Sequence, residues 1–196
     1  MGSESVVEQI CLIRHGETAW SLSGQHTGRT DIPLTEHGEE QARGLAERLR
    51  GTNFAAVFVS PLQRARRTCE LAGLSAAARV DTTLHEWDYG EYEGMTRAQI
   101  RTRQPDWDVF RDGCPGGESP QQVQARADGV LARLRALDGR IAIFSHGHFL
   151  RSLGVRWIEL PIQHGRNFGL NAAAISQLGY EHQSLEEPAI ELWNAT

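Results

Sequence analysis

The chain has 196 residues, 40% hydrophobic and 23% charged, which suits one ordinary domain that buries a substantial core without disulfides or a structural metal. No stretch approaches the roughly 18 apolar residues of a membrane span, and a net charge of −5 with no basic run argues against nucleic acid or an anionic membrane as a partner. Cys11, Cys69 and Cys114 are few, odd in number and far apart, which fits a reducing, cytoplasmic compartment better than a disulfide framework.

Residues 1–8 read as a disordered lead-in and residues 9–196 as one domain. Residues 9–13 form a short apolar run that predicts a buried strand delivering Arg14, His15 and Gly16 at its end. Thr35 then caps a helix reaching about Arg50, with Glu36, Glu39 and Glu40 early and a stripe of Ala42, Leu45, Ala46 and Leu49. Residues 55–59 predict a second strand, stopped by Ser60 as an N-cap and Pro61 at the first helical position, which drops Arg64 into the first turn of the next helix.

A weaker strand at 78–81 leads into Leu84, His85 and Glu86. The segment 89–120 carries Pro105, Pro115, Gly116, Gly117 and Pro120 and reads as helix plus a long loop covering the site. Residues 141–145 form another buried strand, ending at His146, Gly147 and His148, and two more strands are expected near 172–178 and 189–193. Strands alternating with helices predict an α/β fold, a three-layer α/β/α sandwich with a mostly parallel sheet.

Ligands of open α/β sheets bind beyond the carboxyl ends of the strands. Here those ends hold Arg14 and His15, Arg64, Glu86 and His146. Phosphoryl transfer asks for this inventory: a nucleophile for phosphorus, fixed cations around the oxygens and an acid for the leaving oxygen. Neutral His15 is the candidate nucleophile, its tautomer fixed by a backbone carbonyl. Arg14, Arg64 and a protonated His146 are the candidate phosphate donors. Glu86, held protonated by partial burial, is the candidate general acid and later base. Arg151, five residues past His146 on the following helix, is a candidate contact for a second anionic group of the substrate.

The run 12–18, Leu-Ile-Arg-His-Gly-Glu-Thr, resembles the signature of the phosphoglycerate mutase-like branch of the histidine phosphatase superfamily. Residues 60–68 resemble that family's second arginine motif, 84–86 its acid motif and 145–147 its second histidine motif, in matching order from about residue 9 onward. The resemblance implies that His15 is phosphorylated, that Arg14, Arg64 and His146 hold the phosphoryl group, that Glu86 donates the proton, and that no cofactor takes part. It adds Thr27, Gly28 and Gly147 as substrate contacts, the first two through their backbone. Stretches 20–28, 86–94 and 111–118 look most like sedoheptulose bisphosphatase-type enzymes, and Ser21, where the mutases usually carry asparagine, fits the same reading. The implied partner is a small phosphorylated metabolite, with a sugar bisphosphate as one class and a homodimer left open.

A zinc site on His15, His146 and His148 is the rival reading of the histidines, weakened by the lack of an HExxH or CxxC motif and by arginines that would repel a cation. A mutase and a weakly catalytic phospho-ligand-binding regulator remain the alternative functions. His148 is expected behind or facing the substrate, and His26 is the other histidine singled out for the site. Arg66 and Arg67 read as helix-surface ion pairs, and Trp87, Trp107 and Trp157 as fillers of core or lid.

Overall fold

In the computed structural model, which describes residues 7–196, the first strand, β1 (Val7–Arg14), shows in its burial why a sheet forms here. Ile10 and Leu12 enter one apolar cluster while Cys11 and Ile13 enter another, the period-two alternation of a strand covered on both faces. The strand opens two residues earlier than the sequence suggests, inside the expected lead-in. The rest of that expectation, residues 1–6, lies outside the described residues.

The chain continues through α1 (Ala19–Ser23), α2 (Glu36–Arg48), β2 (Ala56–Val59), α3 (Gln63–Leu71) and β3 (Ala78–Val80). Then come α4 (Arg97–Arg103), α5 (Val109–Asp112), α6 (Pro120–Arg135), β4 (Gly139–Ser145), α7 (Gly147–Trp157), β5 (Ile175–Tyr180) and β6 (Pro188–Ala195). The sheet runs β3-β2-β4-β1-β5-β6. The first four strands in that order are mutually parallel, and β5 and β6 are added antiparallel.

Leu45 of α2 with Ala65 and Cys69 of α3 pack on one face against Val57, Val59, Ala142 and Phe144. Val123, Ala127 and Leu131 of α6 with Phe149, Leu153 and Trp157 of α7 pack on the other against Leu12, Ile141 and Ile143. The three layers follow from those two faces, as expected for a doubly covered sheet. Burial pushes the thiols of Cys11, Cys69 and Cys114 up to about 12, so they behave as small apolar side chains. Among the described residues no helix is long and apolar enough to cross a membrane.

Local chemistry fixes the helix starts. The Thr35 hydroxyl accepts from the Gly38 N–H at 3.0 Å, the N-cap read from the sequence. The start of α3 departs from the reading: its N-cap is Leu62 and lacks a side-chain bond. The Ser60 oxygen meets His146 and the Leu62 N–H instead of the first turn of the helix, and Pro61 precedes that turn instead of opening it. Arg64 still falls in that turn, as the second helical residue.

Candidate active site

Strands β1 and β4 are parallel neighbours, and their next residues are His15 and His146. The His15 N–H donates to the Ser145 carbonyl at 3.0 Å, carrying the ladder one step past the strand. The two imidazoles stand 5.2 Å apart between ring centroids. His15 Nδ1 lies 2.7 Å from the Gly16 carbonyl oxygen. That oxygen can only accept, so Nδ1 carries the proton and Nε2 keeps its lone pair. Burial, then Arg64, then Arg14, hold the His15 pKa well below its usual range, and the ring is neutral.

Arg14 stands beside it. Its Nη1 donates to the Leu170 carbonyl. Its Nε, among the described residues, is the one buried side-chain nitrogen or oxygen without a hydrogen-bond partner. An orphaned buried donor costs about 1–3 kcal/mol, more when charged, so a fold keeps one where a ligand pairs with it.

Glu86 closes the N-terminus of α7. Its Oε1 accepts from the Trp87 and Phe149 N–H groups at 2.9 and 2.8 Å, and Oε2 accepts from the His148 N–H at 3.0 Å. The N–H groups of His148 and Phe149 belong to the first turn of α7 and have no partner within the helix. Oε2, with one bond, keeps capacity for a proton. A Cβ on Gly147 would sit 3.4 Å from Arg14 Nε and 3.7 Å from Glu86 Oε2, so glycine leaves open the space between guanidinium and carboxyl.

These groups meet in a cavity of about 180 Å³, whose wall includes Arg14, His15, Ser21, Thr27, Glu86, Gly147 and Arg151. A larger cavity of about 730 Å³ lies beside α3, but its Arg67 is spent on Glu39 and Glu70, the surface ion pairs expected there.

Arg64, His146 and Gly28 are not in the wall of the smaller cavity. The buried Arg64 guanidinium donates to the carbonyls of Thr27, Gly28 and Thr30 at 2.9–3.0 Å, and its Nε to His146 Nδ1 at 3.2 Å. His146 Nε2 in turn donates to the Ser60 hydroxyl at 2.7 Å. A nitrogen that accepts from a guanidinium carries no proton, and burial, then Arg64, then His15, depress the His146 pKa well below its usual range. The expectation of a protonated His146 is therefore corrected: the ring is neutral and both its nitrogens are occupied.

Gly28 is corrected in the same way. Its N–H donates to Glu93 Oε1 at 2.8 Å, its carbonyl accepts from Arg64, and it stands outside the cavity wall, so its N–H is not free for a substrate. Ser21 reaches the cavity, but its hydroxyl donates to the Thr18 carbonyl at 3.0 Å and accepts from the Thr18 N–H at 2.9 Å, completing the cap of α1. Arg151 Nε donates to the Gly165 carbonyl at 2.9 Å, and its guanidinium lies 4.7 Å from the Phe110 ring centroid.

Residues 10–196 match the family model of the histidine phosphatase superfamily (branch 1). The chain belongs to that superfamily.

It is 46% identical over 179 residues to an acid phosphatase of Mycobacterium tuberculosis, a match covering 89% of this chain and 87% of that one. It is 34% identical over 252 residues to the sedoheptulose 1,7-bisphosphatase of Saccharomyces cerevisiae, covering 96% and 93%. The solved structure of an open reading frame from Mycobacterium tuberculosis matches with a TM-score of 0.90 at 40% identity, over 96% of this chain and 98% of the other. A mycobacterial glucosyl-3-phosphoglycerate phosphatase in complex with VO3 matches with a TM-score of 0.85 at 29% identity, over 96% and 100%. The chain is a phosphatase, a hydrolase, on the fold that the sequence motifs imply.

Several residues that shape this phosphatase site were not singled out by their sequence. Leu170 takes Arg14 through its carbonyl, Thr68 accepts from the Gly16 N–H at 3.0 Å, and Glu93 Oε1 holds the N–H groups of Gly28 and Thr30 at 2.8 and 3.1 Å. The cover, residues 87–118, is fastened by the Trp87 and Trp107 ring N–H groups, which donate to the Glu118 and Gly113 carbonyls at 2.9 and 2.8 Å. The spacing of Pro and Gly marked this segment as a cover. Nothing in that spacing marked Glu93 or Tyr89.

Proposed function

We propose that the chain is a phosphomonoesterase that hydrolyses a small phosphorylated metabolite through a phosphohistidine on His15, with a sugar bisphosphate as the favoured substrate class. The observation that carries this reading is the fixed tautomer of His15: Nδ1 is spent on the Gly16 carbonyl, and Nε2 is a free lone pair in the wall of a cavity that also presents the unpaired Nε of Arg14.

Arg14 takes an equatorial oxygen of the incoming phosphoryl group. His15 Nε2 attacks phosphorus, the bond from phosphorus to the ester oxygen breaks, and its electron pair leaves on that oxygen, which takes the proton of Glu86 Oε2. Water then attacks the phosphohistidine and gives its proton back to Glu86, while the N–P electron pair returns to Nε2. Arg64 and His146 act from behind His15. The Arg64 charge keeps His15 neutral and therefore nucleophilic, and the carbonyls it gathers hold the loop of Thr27 to Thr30 against the site.

Sugar bisphosphate as the class is supported by the yeast relative and by Arg151, whose two Nη nitrogens have no hydrogen-bond partner among the described residues. Residues 9–196 act as one phosphatase domain, and the reducing compartment suggested by three unpaired thiols is the cytoplasm. The deciding experiment is transfer of labelled phosphate from substrate to protein followed by an acid quench. An acid-labile label that disappears in His15→Ala, with turnover lowered about 10⁴-fold or more, is the expected result. A label that survives the substitution, or wild-type turnover in its absence, removes His15 from the nucleophile's role.

A further inference from the structure

The catalytic cavity opens sideways. It shares His26, His148 and Arg151 with an adjoining cavity of about 320 Å³ whose wall also holds Arg97 and Arg166. At the junction the two imidazoles lie nearly parallel, with planes 7° apart and centroids 5.9 Å apart. The phosphoryl chemistry described above uses neither ring.

Each ring has its Nδ1 engaged, one by a carbonyl and the other by a hydroxyl. His26 Nδ1 faces the Met95 carbonyl oxygen at 2.8 Å and must donate to it, which leaves Nε2 as a bare acceptor. His148 Nδ1 lies 2.5 Å from the Tyr89 hydroxyl. The largely buried Tyr89 O–H has no other acceptor among the described residues, and the pairing we assign has it donate to Nδ1, which puts the His148 proton on Nε2, a donor. Burial lowers the pKa of both rings, so these neutral tautomers persist near neutral pH. Neither Nε2 has a hydrogen-bond partner among the described residues. Beyond the junction stand cations: Arg151 has no carboxylate partner, Arg166 is exposed, and Arg97 reaches Asp108 only at 3.5 Å.

We infer that His26 and His148 form a donor and acceptor pair that reads the hydroxyl groups of a polyol or sugar phosphate as it passes from the phosphoryl cavity toward the second, cationic cavity. The inference rests on the phosphatase reading above and adds the chemistry of the middle of its substrate. A hydroxyl is itself donor and acceptor, so it can give its proton to His26 Nε2 and take one from His148 Nε2. A hydroxyl-free chain of the same length leaves both nitrogens dry and unpaired, and such sites discriminate strongly against the analogue that lacks the group.

The test compares ribitol phosphate with pentyl phosphate, two alkyl esters with similar leaving oxygens, in the full chain. His26→Asn keeps a nitrogen for the Met95 carbonyl and removes the Nε2 acceptor. The double variant His148→Phe with Tyr89→Phe removes the donor without stranding the tyrosine hydroxyl. The wild type is expected to prefer ribitol phosphate in kcat/KM, and each variant to lose about tenfold of that preference. Nitrogen-15 spectra of labelled histidine are expected to show protonated Nδ1 in His26 and protonated Nε2 in His148.

A preference within about twofold of wild type in both variants overturns the inference while leaving the phosphatase reading intact. So does the opposite tautomer at either ring. A wild type that hydrolyses neither ester brings down the phosphatase reading and the inference with it.

Discussion

The strand-end cluster and the cover over it are built by different means. His15 and His146 are where they are because two parallel strands end in register, and each ring is oriented by a bond within the sheet ends or the first turn of α3. The cover, residues 87–118 with the facing loop 20–31, has only short helices and no strand of the sheet, and is assembled through side chains that reach backbone elsewhere in the chain. Glu93 ties the Gly28 loop, Glu118 receives Arg126, and the two tryptophan rings bond carbonyls. The reacting groups thus sit on rigid elements, while the surfaces that meet the rest of the substrate sit on long-range clasps. That division lets one chemistry persist under different covers.

The sharpest way to break the comparison is Glu86, a reacting group that belongs to both regions. Its carboxylate caps α7 and its backbone leads into the cover. Glu86→Gln keeps the shape and removes the transferable proton, and turnover of alkyl esters should fall by about 10²–10⁴-fold. Single-turnover phosphorylation by an activated aryl phosphate should suffer less, because its leaving oxygen needs little help. Equal losses for alkyl and aryl esters would show that Glu86 serves the helix cap and not the proton.

The next test is pH, which acts on buried histidines of both regions, His26 in the cover and His15 and His146 in the cluster. His15 and His146 are buried and neutral, with pKa values depressed well below that of an unfolded chain. Below about pH 6.5 the unfolded chain binds protons that the folded cluster refuses, so stability is retained above that value and falls as the pH drops. Each of the two histidines contributes a slope of up to about 1.4 kcal/mol per pH unit, down to its folded pKa. Chemical denaturation from pH 7 to pH 5 should show this loss, and His146→Gln should flatten it. A slope unchanged by that substitution would mean that His146 titrates normally in the folded protein.

The same division explains what the sequence could reveal. Residues 9–13, 55–59 and 141–145 announced their strands by apolar runs, and the polar residues just beyond them formed the site, because a strand end fixes direction as well as place. Thr35 gave its helix start correctly, its hydroxyl accepting from the Gly38 N–H while donating to Glu17, whereas Ser60 misled: its oxygen meets His146, 86 residues away, and the helix starts at Gln63. The protonation of His146 was illegible for the same reason: only the fold brings Arg64 Nε to its Nδ1. Gly28 is expected from the resemblance as a backbone contact for substrate, and its bonds to Glu93 and Arg64, which use its N–H and engage its carbonyl, span 65 and 36 residues and leave no local trace. Contacts of that range carry most of the cover, which is why its architecture was legible only as Pro and Gly punctuation.

Arg151 offers the smallest and most specific test, because it sits where the cluster and the cover meet. It projects from α7, the helix that Glu86 caps, yet its guanidinium rests on Phe110 of the cover and is held there by the Gly165 carbonyl. That leaves its outer nitrogens free to meet a second anionic group, while the phosphoryl step written for His15, Arg14 and Glu86 makes no use of it. Arg151→Ala should raise KM for a sugar bisphosphate by about tenfold, the worth of one charge-assisted hydrogen bond in a partly solvated site, with kcat little changed. A sugar monophosphate without the second charge should keep its KM, and a melting temperature close to wild type must accompany the result, since the Phe110 contact is also lost. If KM rises equally for both substrates, Arg151 shapes the cover and reads no second phosphate. In that case the bisphosphate class loses its local support, although hydrolysis at His15 stands.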